Sequence, residues 1–267
     1  MDHAGTLDDI VRWAGRTDEI RAVVLTGSGA TDAGPAEWSD LDVEIYTRDP
    51  AALLDRTDWY AAFGDVLVVE ALENPEWHPT RLIYYVDGKI DFAIAPAEAF
   101  GAEPYDRPFR ALVDKDGAAD RLRLEVPAYR PPTDTEFLEC VHWFFAAALM
   151  EAKAAVRGEL WAAKVRDGDL KEQLLRLVEW DHRARHGDAY ETWYLGNHMQ
   201  EWIDADVRAE LLECWGRFDA ADTARSLRAS VELFDRLADR TADSLGHARF
   251  DHGPAGREIE RILHHLS

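Results

Sequence analysis

Apolar and polar positions follow two different rhythms along the chain. Up to about residue 96 the apolar runs are short, and several alternate with period two. Beyond residue 133 they recur every three to four residues. Thr6 to Trp13 predicts a short helix, with Thr6 as N-cap and Asp9 as its third-position acid. Ile20 to Ser28 (IRAVVLTGS) is an apolar, β-branched run ending in small residues, which predicts a buried strand and a tight turn. Leu41 to Thr47 (LDVEIYT) alternates apolar and acidic residues, the pattern of a half-buried strand. Val66 to Leu72 predicts another strand. In RLIYYVDGKIDFAIAP, Asp87-Gly88 between two strand-like runs predicts a two-residue hairpin.

Pro127, Pro131 and Pro132 bracket a linker-like stretch, after which the pattern is helical. Thr133 and Glu136 predict a capping box opening a long amphipathic helix through Ala155. Further helices are predicted over Leu170 to Arg185, Val207 to Arg217, Ala220 to Leu245 and Gly256 to Leu266. There is no repeat and no low-complexity segment. The fold class is α+β: a mixed β-sheet domain with flanking helices over residues 1–130, then a helical bundle domain over 131–267.

Composition adds exclusions. Hydrophobic residues make up 47% of the chain, enough for a packed core. No apolar run approaches the roughly 18 residues of a membrane span, and nothing at the N-terminus reads as an export signal. Cys140 and Cys214 sit in helix-like segments without metal spacing, as buried thiols of a reducing compartment do, so the expectation is cytoplasmic. The formal net charge of −22 argues against a nucleic-acid or anionic-membrane partner. A cationic ligand would be drawn to such a field, although acidic surfaces also serve solubility alone.

The candidate chemistry is acidic. Side chains at i and i+2 of a strand share a face, so Asp40 and Asp42 are expected about 7 Å apart along one strand. Neighbouring carboxylates repel unless a cation lies between them, and magnesium prefers oxygen ligands. Asp91, flanked by Ile90 and Phe92, needs a partner if buried. If its strand pairs beside the first, three carboxylates can hold two metal ions for a nucleotidyl transfer. Gly27 and Ser28 supply a small-residue turn able to approach phosphate oxygens. Each part alone has an ordinary alternative: Gly-Ser is commonly only a turn, and Asp-x-Asp followed by Glu44 is commonly a solvated face. The order of the parts carries the specificity.

With Gly27-Ser28, Ser39-Asp40-Leu41-Asp42, Phe63-Gly64-Asp65, Asp87 to Phe92 leading to Pro96 and Glu98, and Val113 to Asp116, the chain resembles the streptomycin (aminoglycoside 6-) adenylyltransferase family of nucleotidyltransferases. The likeness extends through Glu136 to Trp143, Leu174-Leu175-Arg176 with Trp180, and Leu233-Phe234 with Ala238. The resemblance implies that the first domain is the nucleotidyltransferase domain and the second binds substrate. It implies Mg2+ with ATP as co-substrate, AMP transferred to a hydroxyl of a streptomycin-like aminoglycoside, pyrophosphate released, and antibiotic resistance as the outcome. It also implies Asp40 and Asp42 as metal ligands, Asp91 as third ligand or general base, and Gly27, Ser28 and Ser39 on the nucleotide.

Two positions depart from the family. Gly29 stands where an Arg usually follows the Gly-Ser pair, and Gly196-Asn197 stands where Gly-Lys is usual. Lys171 and Arg176 are the candidates to replace these phosphate contacts. Carboxylates and aromatic faces hold polyamines best, which nominates Glu136, Glu139, Glu179, Trp180 and Asp181 for the acceptor; exposed helix acids and a core tryptophan are the competing reading. His182 and His186 form an i, i+4 pair, but no third ligand lies nearby in sequence, which argues against zinc. Two other functions stay open: transfer to another small-molecule or protein hydroxyl, and a catalytically silent relative that binds a nucleotide or a cation.

Overall fold

A computed structural model describes residues 2–31, 38–73, 77–187, 192 and 194–266. The chain divides into two compact units, Met1–Ala128 and Tyr129–Ser267.

The first unit is built on six strands: β1 (Ile20–Thr26), β2 (Leu41–Thr47), β3 (Val66–Leu72), β4 (Thr80–Tyr85), β5 (Gly88–Pro96) and β6 (Phe109–Asp114). They form one mixed sheet in the order β3-β4-β5-β2-β1-β6. β2 and β5 run parallel, and every other neighbouring pair is antiparallel. Alternation sorts the side chains. Leu41, Val43 and Ile45 of β2 join Ile83 of β4 and Ile90, Phe92 and Ile94 of β5 on one face, packed with Ile10 and Ala14 of helix α1 (His3–Arg16). Trp59 and Phe63 close over Phe92, with ring centroids 5.0 and 5.8 Å away. Each of these large side chains, buried, contributes roughly 1.5–3 kcal/mol. Asp42, Glu44, Asp91 and Ala93 are therefore turned to the opposite face.

Several boundaries differ from the sequence expectations, each for a local reason. Helix α1 starts a turn earlier than expected. Asp2 is its N-cap, accepting from the Gly5 N–H at 3.2 Å, while Thr6 is buried inside the helix. The hairpin turn falls on Val86-Asp87, with Tyr85 paired to Gly88. This turn asks for positive φ only at Asp87 (φ 73), a conformation that aspartate tolerates. Helix α2 (Pro50–Leu54) and strand β6 carried no periodic signal long enough to predict them.

The second unit consists of α3 (Asp134–Val156), α4 (Leu160–His186), α5 (Met199–Trp202), α6 (Ala205–Glu213), α7 (Ala220–Leu245) and α8 (Gly253–Leu263). The expected Thr133–Glu136 capping box is present: Thr133 Oγ1 accepts from the Glu136 N–H and the Glu136 carboxylate accepts from the Thr133 N–H. α4 begins ten residues before the expected Leu170. Its charged first turns and Gly168 hide the apolar period, and the Asp167–Lys171 pair at i, i+4 supports this stretch. α6 stops at Glu213, before the expected Arg217, and Gly216 beyond it passes tightly against Ser226 of α7. The core is apolar around Phe144, stacked on Phe234 at 3.7 Å. It also encloses Glu151, which is 0% exposed and has no hydrogen-bond partner among the described residues. Burial and the nearby Asp167 charge push the Glu151 carboxyl up to about 8. Cys140 and Cys214 are buried free thiols. No helix among the described residues is long and apolar enough to cross a membrane.

Candidate active site on the sheet face

Parallel pairing of β2 with β5 sets Asp42 directly beside Asp91, and Thr26 of β1 lies across from Asp42 on the other side. The two carboxylates thus stand on adjacent strands of one face. Asp40 lies just before β2 rather than on it, so it reaches the cluster from the strand's mouth. Burial raises the Asp42 pKa, helped by the charge of Asp91 and opposed by Arg107. Burial also raises the Asp91 pKa, against the pull of Lys89. Asp91 Oδ1 is buried without a hydrogen-bond partner among the described residues. A buried carboxylate oxygen left open in this way has a strong call on a cation or a proton donor.

Lys89 meets part of that demand. Its Nζ lies 2.9 Å from Asp40 Oδ2 and 3.0 Å from Asp91 Oδ2. Burial works against its charge, but the hydrogen bonds to Asp40 and Asp91 outweigh it and raise its pKa. Glu44, next along β2, is no solvated acid: the Tyr46 and Tyr105 hydroxyls both donate to its Oε2, at 2.7 and 2.8 Å. The face opens into a hollow of about 330 Å³ whose lining includes Asp42, Glu44, Asp91, Trp77, His78 and Arg107. That size is in the range of small-molecule sites.

The turn after β1 is fixed by contact. Gly27 has φ 68, and a Cβ there would stand 2.9 Å from Asp42 Oδ2, so only glycine lets the turn and the carboxylate approach. Its N–H is already donated to the Pro108 carbonyl at 2.9 Å, which removes it from the set of phosphate donors. Ser28 is exposed beside it, and the Ser39 carbonyl is 3.1 Å from His3 Nε2. Gly29 is buried, with Leu25 and Leu41 3.4 and 3.5 Å from the position of a Cβ.

The fit to a divalent cation follows from these features: an open Asp91 oxygen, a second half-buried carboxylate beside it, a third at the mouth, and a turn with no Cβ in the way. Two cations of this face lay outside the sequence expectations. Lys89 is two residues before Asp91, so strand alternation alone places it on the same face. Arg107 comes from an irregular stretch, and no pattern marks it.

The second-unit candidates separate. Lys171 is buried, its Nζ 2.5 Å from Asp167 Oδ1 and 3.2 Å from Ser230 Oγ, so its charge is committed inside the bundle and it is withdrawn as a phosphate contact. Asp181 is 1% exposed and accepts from Arg185 and Arg240, which withdraws it as an acceptor contact. Glu136 is held by the capping box and by Arg130 at 2.7 Å. Trp180 packs against the core near Phe137, 6.5 Å between centroids. Burial pushes Glu179 up to about 7. Glu139 and Arg176 are exposed, the latter 3.8 Å from Glu172.

The profile of the streptomycin adenylyltransferase family matches residues 2–260. Among proteins of known name, the chain is similar to an aminoglycoside 6-adenylyltransferase of Bacillus subtilis (strain 168), 22% identical over 258 residues and 90% of each chain. It is also similar to an aminoglycoside 6-adenylyltransferase of Staphylococcus aureus, 23% identical over 189 residues, 65% of this chain and 67% of that one. Among solved structures it resembles an aminoglycoside 6-adenyltransferase from Bacillus subtilis, with a TM-score of 0.46 and 17% identity over 97% of this chain and 96% of that one. With a family match running almost from end to end, the chain belongs to the streptomycin adenylyltransferase family.

Proposed function

We propose that the first unit transfers AMP from ATP, with Mg2+, to a hydroxyl of a streptomycin-like aminoglycoside. The observation that carries this reading is the Asp42–Asp91 register beside Gly27, which brings two carboxylates of raised pKa to one open face. Family membership and the names of the relatives support the donor and the acceptor class. The net charge of −22 favours a cationic acceptor through long-range attraction.

Asp42 and Asp40 would hold the metal, with Asp91 completing the set. When bound, Mg2+ supplies neutralisation of the triphosphate and of the departing pyrophosphate. Asp91 serves either as this third ligand or as the general base that takes the acceptor hydroxyl's proton. Arg107, on the same face, takes the phosphate-binding part that an arginine at position 29 would play. The test is purified protein with Mg-ATP and a panel of aminoglycosides, following pyrophosphate release. Release with streptomycin-like acceptors is expected. Nucleotide binding without release for any acceptor would instead support the silent relative, and release only with other hydroxyl compounds would move the acceptor class.

Lys89 gives a second expectation. Its ammonium and a divalent cation compete for the carboxylates of Asp40 and Asp91, whose Oδ2 atoms it holds. Lys89→Met is therefore expected to tighten Mn2+ binding, measured calorimetrically without nucleotide, by roughly 3–10-fold. Weaker binding would show that Lys89 orients the carboxylates rather than occupying the cation's place.

A further inference from the structure

We propose that the second unit carries a zinc-class metal site made of His182, His186 and Asp204. Sequence spacing argued against zinc only because no third ligand was near, and the fold supplies one 18 residues after His186. His182 and His186 lie on successive turns of α4 with ring centroids 4.5 Å apart. Asp204 Oδ1 is 3.1 Å from His186 Nε2, and one donor atom from each of the three residues falls within 4.8 Å of the others.

Asp204 occupies the N-cap position of α6, where aspartate normally accepts from the first helical N–H groups. Here its side chain makes no capping bond and turns toward α4 instead. Arg185 takes Oδ2 of Asp204 and is itself held by Asp181 Oδ2 at 2.8 Å; Asp181 in turn accepts from Arg240 at 2.7 Å. This chain fixes the carboxylate's orientation and leaves Oδ1 toward the imidazoles, the kind of support that metal-ligating carboxylates have. The two guanidiniums cancel the two carboxylates. Trp202 packs its ring 5.0 Å from that of His182, which fixes the imidazole from the other side.

The donor set chooses the metal. Two imidazole nitrogens and one carboxylate oxygen suit Zn2+, whereas Mg2+ and Ca2+ favour all-oxygen sites. Three protein ligands leave a fourth position, and His186, 36% exposed, gives it access to solvent. A metal here would tie the last turn of α4 to the start of α6, spanning the connection between them. The site is independent of the carboxylates of the first unit, which are oxygen donors only.

The test is metal-free full-length protein titrated with Zn2+ in millimolar Mg2+ by calorimetry, and with Co2+ by visible absorption. One equivalent of Zn2+ binding at micromolar Kd or tighter is expected, with the d–d bands of a low-coordinate Co2+ site and a rise in Tm on adding Zn2+. His186→Ala changes an exposed side chain and Asp204→Asn preserves shape; both are expected to weaken binding at least tenfold and abolish the Tm rise. Asp42→Asn is expected to leave Zn2+ binding unchanged. Absence of a micromolar site, or the same affinity in His186→Ala and Asp204→Asn as in the wild type, would overturn the proposal.

Discussion

Asp42→Asn is expected to reduce adenylyl transfer by about a thousandfold or more while leaving the protein folded. The amide keeps the shape and can still accept a hydrogen bond, but it loses the negative charge that a hard cation requires. Asp42 is placed by strand pairing to both neighbours, Thr26 and Asp91, so the substitution does not disturb the sheet. Stability is expected to move the other way. Burial and the Asp91 charge raise the Asp42 pKa, so in the absence of metal the native state binds protons more tightly than the unfolded chain. Such a group stabilises fully below its unfolded pKa, and its contribution is lost as pH rises through the folded value. At neutral pH the metal-free Asp42→Asn protein should therefore melt at or above the wild-type temperature, and Mg2+ should raise Tm in the wild type only. Pyrophosphate release and thermal melts check both halves. An active Asp42→Asn enzyme would sink the carboxylate assignment, and an unfolded one would show that Asp42 holds the sheet together.

The second large effect concerns stability alone. Glu151, fully buried, has its carboxyl pushed up to about 8. The sign follows from the same linkage: protonated Glu151 is compatible with the core, and ionised Glu151 is not. Its stabilising contribution is complete below about pH 4.5 and is lost as pH rises through 8, a swing on the order of 5 kcal/mol for a shift of this size. Glu151→Met, close in volume and without a charge to bury, is expected to remove most of that loss. Denaturant unfolding of both proteins at pH 5 and pH 9 checks it. The difference between them should open with pH, and a constant difference would mean that Glu151 stays neutral or finds a partner on ionising.

Local physics is what made the readable part of this chain readable. β2 and β3 have the bounds that their apolar patterns predict, and Thr133 with Glu136 marks the start of α3 because capping is a contact between residues three apart. Asp91 stood out because an acid between Ile90 and Phe92 is anomalous within its own strand. What depends on distant packing was not legible. The parallel pairing of β2 with β5 joins segments nearly fifty residues apart, and no turn dictates it. Lys171 and Asp181 look like surface charges of an amphipathic helix, yet neighbouring helices bury them, and only the fold reveals Ser230 and Arg240 as their partners. Asp204 reads as a helix cap, and its turn toward α4 has no local signature. β3, at the sheet edge, is exposed on both faces from Leu67 to Leu72, which likewise contradicts a simple reading of an apolar strand.

The side-by-side alignment of Asp42 and Asp91 also sets which changes of chain length this molecule can absorb. Insertions in the connections between strands leave the alignment intact, because loops take up extra residues at small entropic cost. One residue added within β5 ahead of Asp91 is different: it would send that carboxylate through the sheet to the side occupied by Ile90 and Phe92, and would bring their apolar groups out. Length can thus change in the loops, while the spacing of residues 88 to 92 is held by the pairing of β5 with β2.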